Sequence, residues 1–110
     1  YATAHRLARQ LASTLRARGV QPGDRVAVLM HNELDHLLAY FGVAAAGAIL
    51  VSLNTRLSVA EQQNILRHAE ARVLLHDQAH DARAAELRHG LALGVLPTAQ
   101  AIADGRDAGT

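Results

Sequence analysis

The 110 residues are enough for one domain, carry a formal net charge of +1, and are 50% hydrophobic and 19% charged. That balance excludes a disordered chain and gives no field strong enough to suggest nucleic-acid binding. With no Cys present, disulfides, thiol catalysis and thiolate metal sites are excluded as well.

Aromatics are only 3%, so the core must come from Leu, Val, Ile and Ala. Every basic residue is Arg, and with the Ala-rich composition this suggests a GC-rich bacterial gene. The start, Tyr1-Ala2-Thr3-Ala4-His5-Arg6, lacks the apolar core of a signal peptide and a Met, as expected of a trimmed chain.

The first element is a helix. Ala4, Leu7, Ala8, Leu11, Ala12 and Leu15 recur at spacings of three and four, with Arg6, Arg9, Gln10, Ser13 and Arg16 on the other face. Thr3 is placed as its N-cap and Gly19 as its stop. Pro22-Gly23-Asp24 forms a turn. The apolar run Arg25 to Met30 predicts a strand covered on both faces.

Asn32 is expected to cap a second helix, with Asp35 completing a loose capping box. Leu34, Leu37, Leu38, Phe41 and Ala45 are assigned to its core face, and Gly47 ends it. The stretch Leu37 to Leu53 contains no charge, which raises the question of a membrane span. Its glycines, alanines and strand-favouring second half indicate a buried helix followed by a buried strand at 48–53. After the loop Asn54-Thr55-Arg56-Leu57, Ser58 and Glu61 form a capping box. The helix they open reaches Ala69, with Val59, Ile65, Leu66 and Ala69 inward.

A third strand spans Arg72 to His76, a weaker helix Ala79 to His89, and a fourth strand Leu91 to Leu96, stopped by Pro97. A short helix starts at Thr98, and 105–110 reads as a flexible polar end. The order is α-β-α-β-α-β-α-β, which means an α/β fold with mostly parallel strands and helices on both faces. We read the 110 residues as a single incomplete domain.

Candidate chemistry is sparse. Gly42 and Gly47 have phosphate-loop spacing, but Ala48-Ile49 stand where Lys-Ser/Thr is required. The pair also falls between a helix and a strand, the reverse of the order a phosphate loop needs. Helix stop and close packing explain it better. His76 and His80, flanked by Asp77 and Asp81, are four apart, a spacing that could share a metal on one helix. Here one closes a strand and the other opens a helix, so a solvated turn is the stronger reading. His31-Asn32-Glu33 also follows a strand end, where open α/β sheets place ligands. Asn32 as cap, Glu33 on the helix dipole and His31 filling the turn account for it. Ser13, Ser52 and Ser58 lie in no G-x-S-x-G context. Arg56 sits in an irregular loop after a buried strand, where its fork of donors could take phosphate or carboxylate; a surface role is the simpler alternative. Two other readings of the whole remain: a stand-alone α/β binding module using the strand ends near His31, Arg56 and His76, and a dinucleotide enzyme, which lacks G-x-G-x-x-G.

The run Gly19-Val20-Gln21-Pro22-Gly23-Asp24-Arg25-Val26 resembles the "G-V-x-P-G-D-R-V" segment of adenylate-forming ligases, the superfamily of acyl-CoA synthetases, peptide-synthetase adenylation domains and luciferases. His31-Asn32-Glu33 lies where these have Pro-Asn-Ser. Gly42 to Ala48 matches "G-V-x-x-A-G-A", and Leu53-Asn54-Thr55-Arg56-Leu57 matches "L-N-x-R-L". The likeness covers Tyr1 to about Asp77, with His31 and Ser52 replacing the usual prolines.

The resemblance implies the N-terminal portion of the large domain of an AMP-forming acyl-CoA synthetase, with ATP, Mg2+ and CoA serving the parent enzyme. It further implies a carboxylate substrate, the remainder of the ligase chain as partner, a homodimer as one assembly, and a cytoplasmic location without a transmembrane segment. Arg56 matches a family Arg near the CoA phosphates. The Ser/Thr/Gly-rich loop ending in Pro-Lys-Gly is missing, as is any Lys. These 110 residues are therefore expected to be scaffold, inactive alone, with no catalytic residue and no metal ligand.

Overall fold

Residues such as Val26, Val28, Leu74 and Leu75 are apolar on successive positions, so both faces of their strands must be covered. The computed structural model, which describes residues 2–31 and 33–107, satisfies this with helices on both sides of one sheet. In chain order the elements are α1 (Ala2–Ala17), β1 (Arg25–Leu29), α2 (Glu33–Ala45), β2 (Ile49–Ser52), α3 (Val59–Ala69), β3 (Val73–His76), α4 (Asp81–Leu87), β4 (Gly94–Pro97) and α5 (Thr98–Asp107). One turn of 3-10 helix, Gln78–His80, precedes α4.

The four strands run parallel in the order β2-β1-β3-β4. Val26 stands beside Leu50 on one side and Val73 on the other, and Val73 beside Gly94. One face packs Val26, Val28, Val73 and Leu75 against α1, α2 and α5. The other packs Ala27, Leu29 and Leu74 against Leu66 of α3 and Leu87 of α4. Each fully buried Leu, such as Leu11 or Leu87, stabilises the fold by about 1.5–3 kcal/mol relative to exposure.

The capping box is formed as expected. Ser58 N–H donates to Glu61 Oε1 at 3.0 Å, and Glu61 N–H donates to Ser58 Oγ at 3.2 Å. Among the described residues no helix is long and apolar enough to cross a membrane. The charge-free stretch is instead divided between α2 and β2 by Gly47, whose φ of +77° a side chain would resist.

Several expectations are corrected. Thr3 lies inside α1, which already begins at Ala2. Gln10 and Ser13, placed on the solvated face, are buried together with Thr14, because α5 packs along them. Thr14 Oγ1 donates to the Ala101 carbonyl, and Gly105 lies so close that an added Cβ would sit 1.9 Å from the Gln10 oxygen. Gly105 to Asp107 thus belong to α5 rather than to a polar end, and Ala108 to Thr110 fall outside the described residues.

Helix α2 is rotated relative to expectation. Leu38, Ala39, Gly42 and Val43 face inward, while Leu34, Leu37 and Phe41 are 60%, 50% and 52% exposed. The small residues let α2 approach α1 closely: a Cβ on Gly42 would lie 2.6 Å from Leu11 Cδ2. The fourth strand is shifted to Gly94–Pro97. Pro97 is tolerated as its last residue because β4 is an edge and the missing N–H faces outward.

Candidate functional site

The chain leaves β1 for α2 on one face and leaves β3 for α4 on the other, although β1 and β3 are neighbours. Between their C-terminal ends lies a topological switch point, the place where open α/β sheets form a crevice. His31 follows β1 there, His76 ends β3 and Asp77 and His80 follow it, so two stretches flagged separately in the sequence meet.

Asp77 organises the meeting. Its Oδ2 accepts from the His31 backbone N–H at 2.8 Å, and its Oδ1 accepts from His80 Nδ1. The His31 and His80 rings lie 4.6 Å apart between centroids. His76 Nδ1 is 3.0 Å from the Asp77 carbonyl, which can only accept, so this nitrogen carries the proton. It also lies 3.4 Å from Asp81 Oδ1. Thr98 Oγ1, at the start of α5, donates to the His76 carbonyl at 3.1 Å.

The expected solvated turn is not what forms. His76 is 3% exposed and Asp77 is also buried, because the carboxylate satisfies donors from both strand ends and the loops close over it. His31 and Glu33 are exposed; Asn32, expected to cap α2, lies outside the described residues. Asp35, in the first turn of α2, has its carboxyl pushed up by partial burial and then by the negative charge of Asp77. A neighbouring recess of about 400 Å3 is bordered by Asp35, Asp77 and Asp81. Three carboxylates make it hostile to phosphate. Among the described residues no group of His, Asp and Glu is arranged to hold a metal, and His76 and His80 are each committed to carboxylate or carbonyl partners. The cluster ties the loops after β1 and β3 together.

Arg56 is held elsewhere. Its backbone N–H donates to Asn54 Oδ1 at 2.9 Å, while its side chain is exposed. The loop is pinned from below. Gln62 Nε2 donates to the Asn54 carbonyl at 2.8 Å, and Arg83 Nη1 donates to the Leu57 carbonyl at 3.1 Å. Gln62 and Arg83 are supports that helical periodicity does not reveal, since both are polar residues on ordinary helix positions. His36 Nε2 lies 3.1 Å from Ser52 Oγ, beside the end of β2.

The residues that carry the ligase-like motifs have structural tasks. Asp24 Oδ2 accepts from the Gln21 N–H at 2.8 Å, closing the turn. Gly23 N–H donates to the Gly47 carbonyl at 2.9 Å and Ile49 N–H to the Asp24 carbonyl at 2.8 Å, joining two motifs across the β1–β2 pair. Gly42 lies inside a helix against Leu11 and Gly47 ends one, so neither forms a phosphate cradle.

Residues 1–108 match the family of AMP-binding enzymes. The chain belongs to that family. This AMP-binding family member is 52% identical over 77 residues to a long-chain-fatty-acid–CoA ligase of Thermus thermophilus, covering 70% of this chain and 14% of that protein. It is 43% identical over 95 residues to a feruloyl-CoA synthase of an Amycolatopsis species, covering 86% of this chain and 19% of that one. It therefore spans about a sixth of the length of these relatives.

Among solved structures, a Mycobacterium tuberculosis fatty acyl CoA synthetase superposes with a TM-score of 0.83 at 29% identity, covering 96% of this chain and 22% of that one. A benzoate CoA ligase from Burkholderia xenovorans shares the fold at a TM-score of 0.87 and 24% identity, over 94% of this chain and 22% of that one. The parallel four-strand sheet is thus the architecture found in adenylate-forming ligases.

Proposed function

We propose that these 110 residues are the N-terminal portion of an AMP-forming acyl-CoA synthetase. The observation that supports this most directly is the 52% identity to a long-chain-fatty-acid–CoA ligase over 77 residues. In the proposed parent reaction a carboxylate oxygen attacks the α-phosphorus of ATP and expels pyrophosphate. The CoA thiolate then attacks the acyl carbon and releases AMP. Related structures are described as holding ATP, in one case with a magnesium ion.

The residues described above do not themselves fit ATP or Mg2+: the glycine pair forms no cradle, and the switch point is lined by carboxylates. No chemical step is assigned to them. Their role is to scaffold, and the 110 residues alone are expected to be inactive. Arg56 is assigned to the CoA phosphates, on its exposed guanidinium and its fixed backbone. The parent is read as an ATP-dependent, bacterial, cytoplasmic enzyme that assembles with the rest of its own chain and forms a homodimer. The exposed apolar face of α2 speaks against a stand-alone binding module.

The test is to incubate the full-length protein with ATP, Mg2+ and a panel of aliphatic and aromatic carboxylates. Carboxylate-dependent AMP release and a CoA thioester are expected. No carboxylate-dependent pyrophosphate or AMP across the panel would sink the reading.

A further inference from the structure

The segment that joins β2 to α3 is held more firmly than a surface loop requires. Leu57 N–H donates to the Asn54 carbonyl at 3.3 Å, closing a four-residue turn over Asn54-Thr55-Arg56-Leu57. Asn54 Oδ1 accepts from the Arg56 N–H at 2.9 Å, so the Asn54 side chain braces the turn from within. Arg56, the turn's one charged residue, stands at its third position with an exposed side chain. Among the described residues no carboxylate pairs with it.

Two side chains grip the ends of this turn. Gln62 Nε2 donates to the carbonyl of its first residue, Asn54, at 2.8 Å, and Arg83 Nη1 donates to the carbonyl of its last, Leu57, at 3.1 Å. The same Nη1 donates to Gln62 Oε1 at 2.9 Å, which orients the amide with its nitrogen toward Asn54. Water satisfies the carbonyls of an exposed turn without help. Here a wholly buried Gln from α3 and a half-buried Arg from α4 give up rotamer freedom to do so.

We propose that Gln62 and Arg83 are positioning residues for CoA binding, fixing the turn so that the Arg56 guanidinium meets a phosphate from a set place. This rests on the ligase reading and its assignment of Arg56 to the CoA phosphates. Both residues act through Arg56. Freeing either end of the turn lets the base of the Arg56 side chain move, and a contact made by a planar fork of donors weakens when its base is loose.

Steady-state kinetics on the full-length protein test this. Arg83→Met is expected to raise the KM for CoA roughly threefold or more, up to the rise caused by Arg56→Ala. Arg83→Lys should restore the original value, because one ammonium has donors enough for both bonds that Nη1 makes. On an Arg56→Ala background, Arg83→Met should add nothing. Gln63→Met is the control. Gln63 Nε2 ties α3 to the Glu86, Leu87 and His89 carbonyls without touching the turn, and its loss should leave the KM for CoA unchanged. A partly unfolded preparation lowers the rate but not KM, so weaker folding alone does not imitate the expected result. Should Arg83→Met not fold, Gln62→Glu carries the same expectation, since it keeps an acceptor for Arg83 and loses the donor to Asn54.

An unchanged KM for CoA in the turn-freeing variant, beside a raised one in Arg56→Ala, overturns the positioning role alone. An equal rise in Gln63→Met, or a further rise on the Arg56→Ala background, overturns it as well. An unchanged KM in Arg56→Ala overturns the assignment of Arg56 and the positioning role with it, while CoA thioester formation on the same preparation shows whether the ligase reading stands.

Discussion

Arg83 on α4 reaches Gln62 on α3, with 2.9 Å between Nη1 and Oε1, and Gln62 has no exposed surface at all. The same guanidinium nitrogen holds the Leu57 carbonyl, and the other end of the amide holds the Asn54 carbonyl. The loop that carries Arg56 is therefore fixed by two side chains from two helices. Replacing Arg83 by Met removes a donor from a buried amide oxygen, which costs about 1–3 kcal/mol. A Gln62→Leu change made on top of it should cost less than it does alone, because the Arg83 bond is already lost and the change removes the stranded oxygen. Chemical denaturation of the four proteins of that cycle measures the coupling, and strict additivity would refute it.

Arg56→Ala tests the assignment to CoA. Loss of one charge-assisted contact of about 1.4 kcal/mol should raise the KM for CoA roughly tenfold. The KM for ATP and the rate of carboxylate-dependent pyrophosphate release should stay unchanged. An unaltered KM for CoA would return Arg56 to a plain surface role.

Asp35 gives a pH-dependent prediction. Its carboxyl is raised by partial burial and by Asp77, so at neutral pH its negative charge destabilises the fold. Native stability gains as pH falls through the raised value, and the gain is complete below the ordinary carboxylate range. Asp35→Asn should accordingly raise Tm at pH 7, with the difference fading in acid. A difference that grows in acid would contradict the stated origin.

Glu61 behaves in the opposite sense. Its carboxylate accepts from the Ser58 backbone, which with the Ser58 side chain holds its pKa below the usual range. The stability it adds is complete above the unfolded value and is lost as pH falls through the lowered one. Ser58→Ala should cost about 1 kcal/mol at neutral pH, and a pH titration of the variant should show a weaker acid transition from this site.

Two glycines should respond differently to Ala. At Gly105 the new methyl would meet the Gln10 backbone, which cannot move aside, whereas at Gly42 it would meet the Leu11 side chain, which can shift. Gly105→Ala is expected to cost about 3 kcal/mol or more. At Gly42 a helix-propensity gain of about 1 kcal/mol offsets part of the strain. Melting temperatures of the two variants give the ranking directly.

The strands and their alternation with helices were legible because a strand buried on both faces leaves a continuous apolar run, as in Val26 to Met30. Ser58 and Glu61 were legible because a capping box is local. What failed was whatever depends on a distant partner. Leu34, Leu37 and Phe41 are as hydrophobic as a core face, and periodicity cannot say that the smaller residues Ala39, Gly42 and Val43 win the contact with α1. Gln10 and Ser13 read as solvated until α5 is placed on them. His76, Asp77 and His80 were visible as neighbours, yet their burial depends on the His31 amide, 46 positions away from Asp77.

The contact between α1 and α5 also sets a timetable. Thr14 and Ala101 are 87 positions apart, so α1 emerges from the ribosome well before the helix that covers Thr14. At typical synthesis speeds that interval is on the order of ten seconds. Throughout it, the first helix must be shielded by chaperones or by provisional contacts. Its burial of Gln10, Ser13 and Thr14, which are polar, lowers the stickiness of the waiting surface during that time.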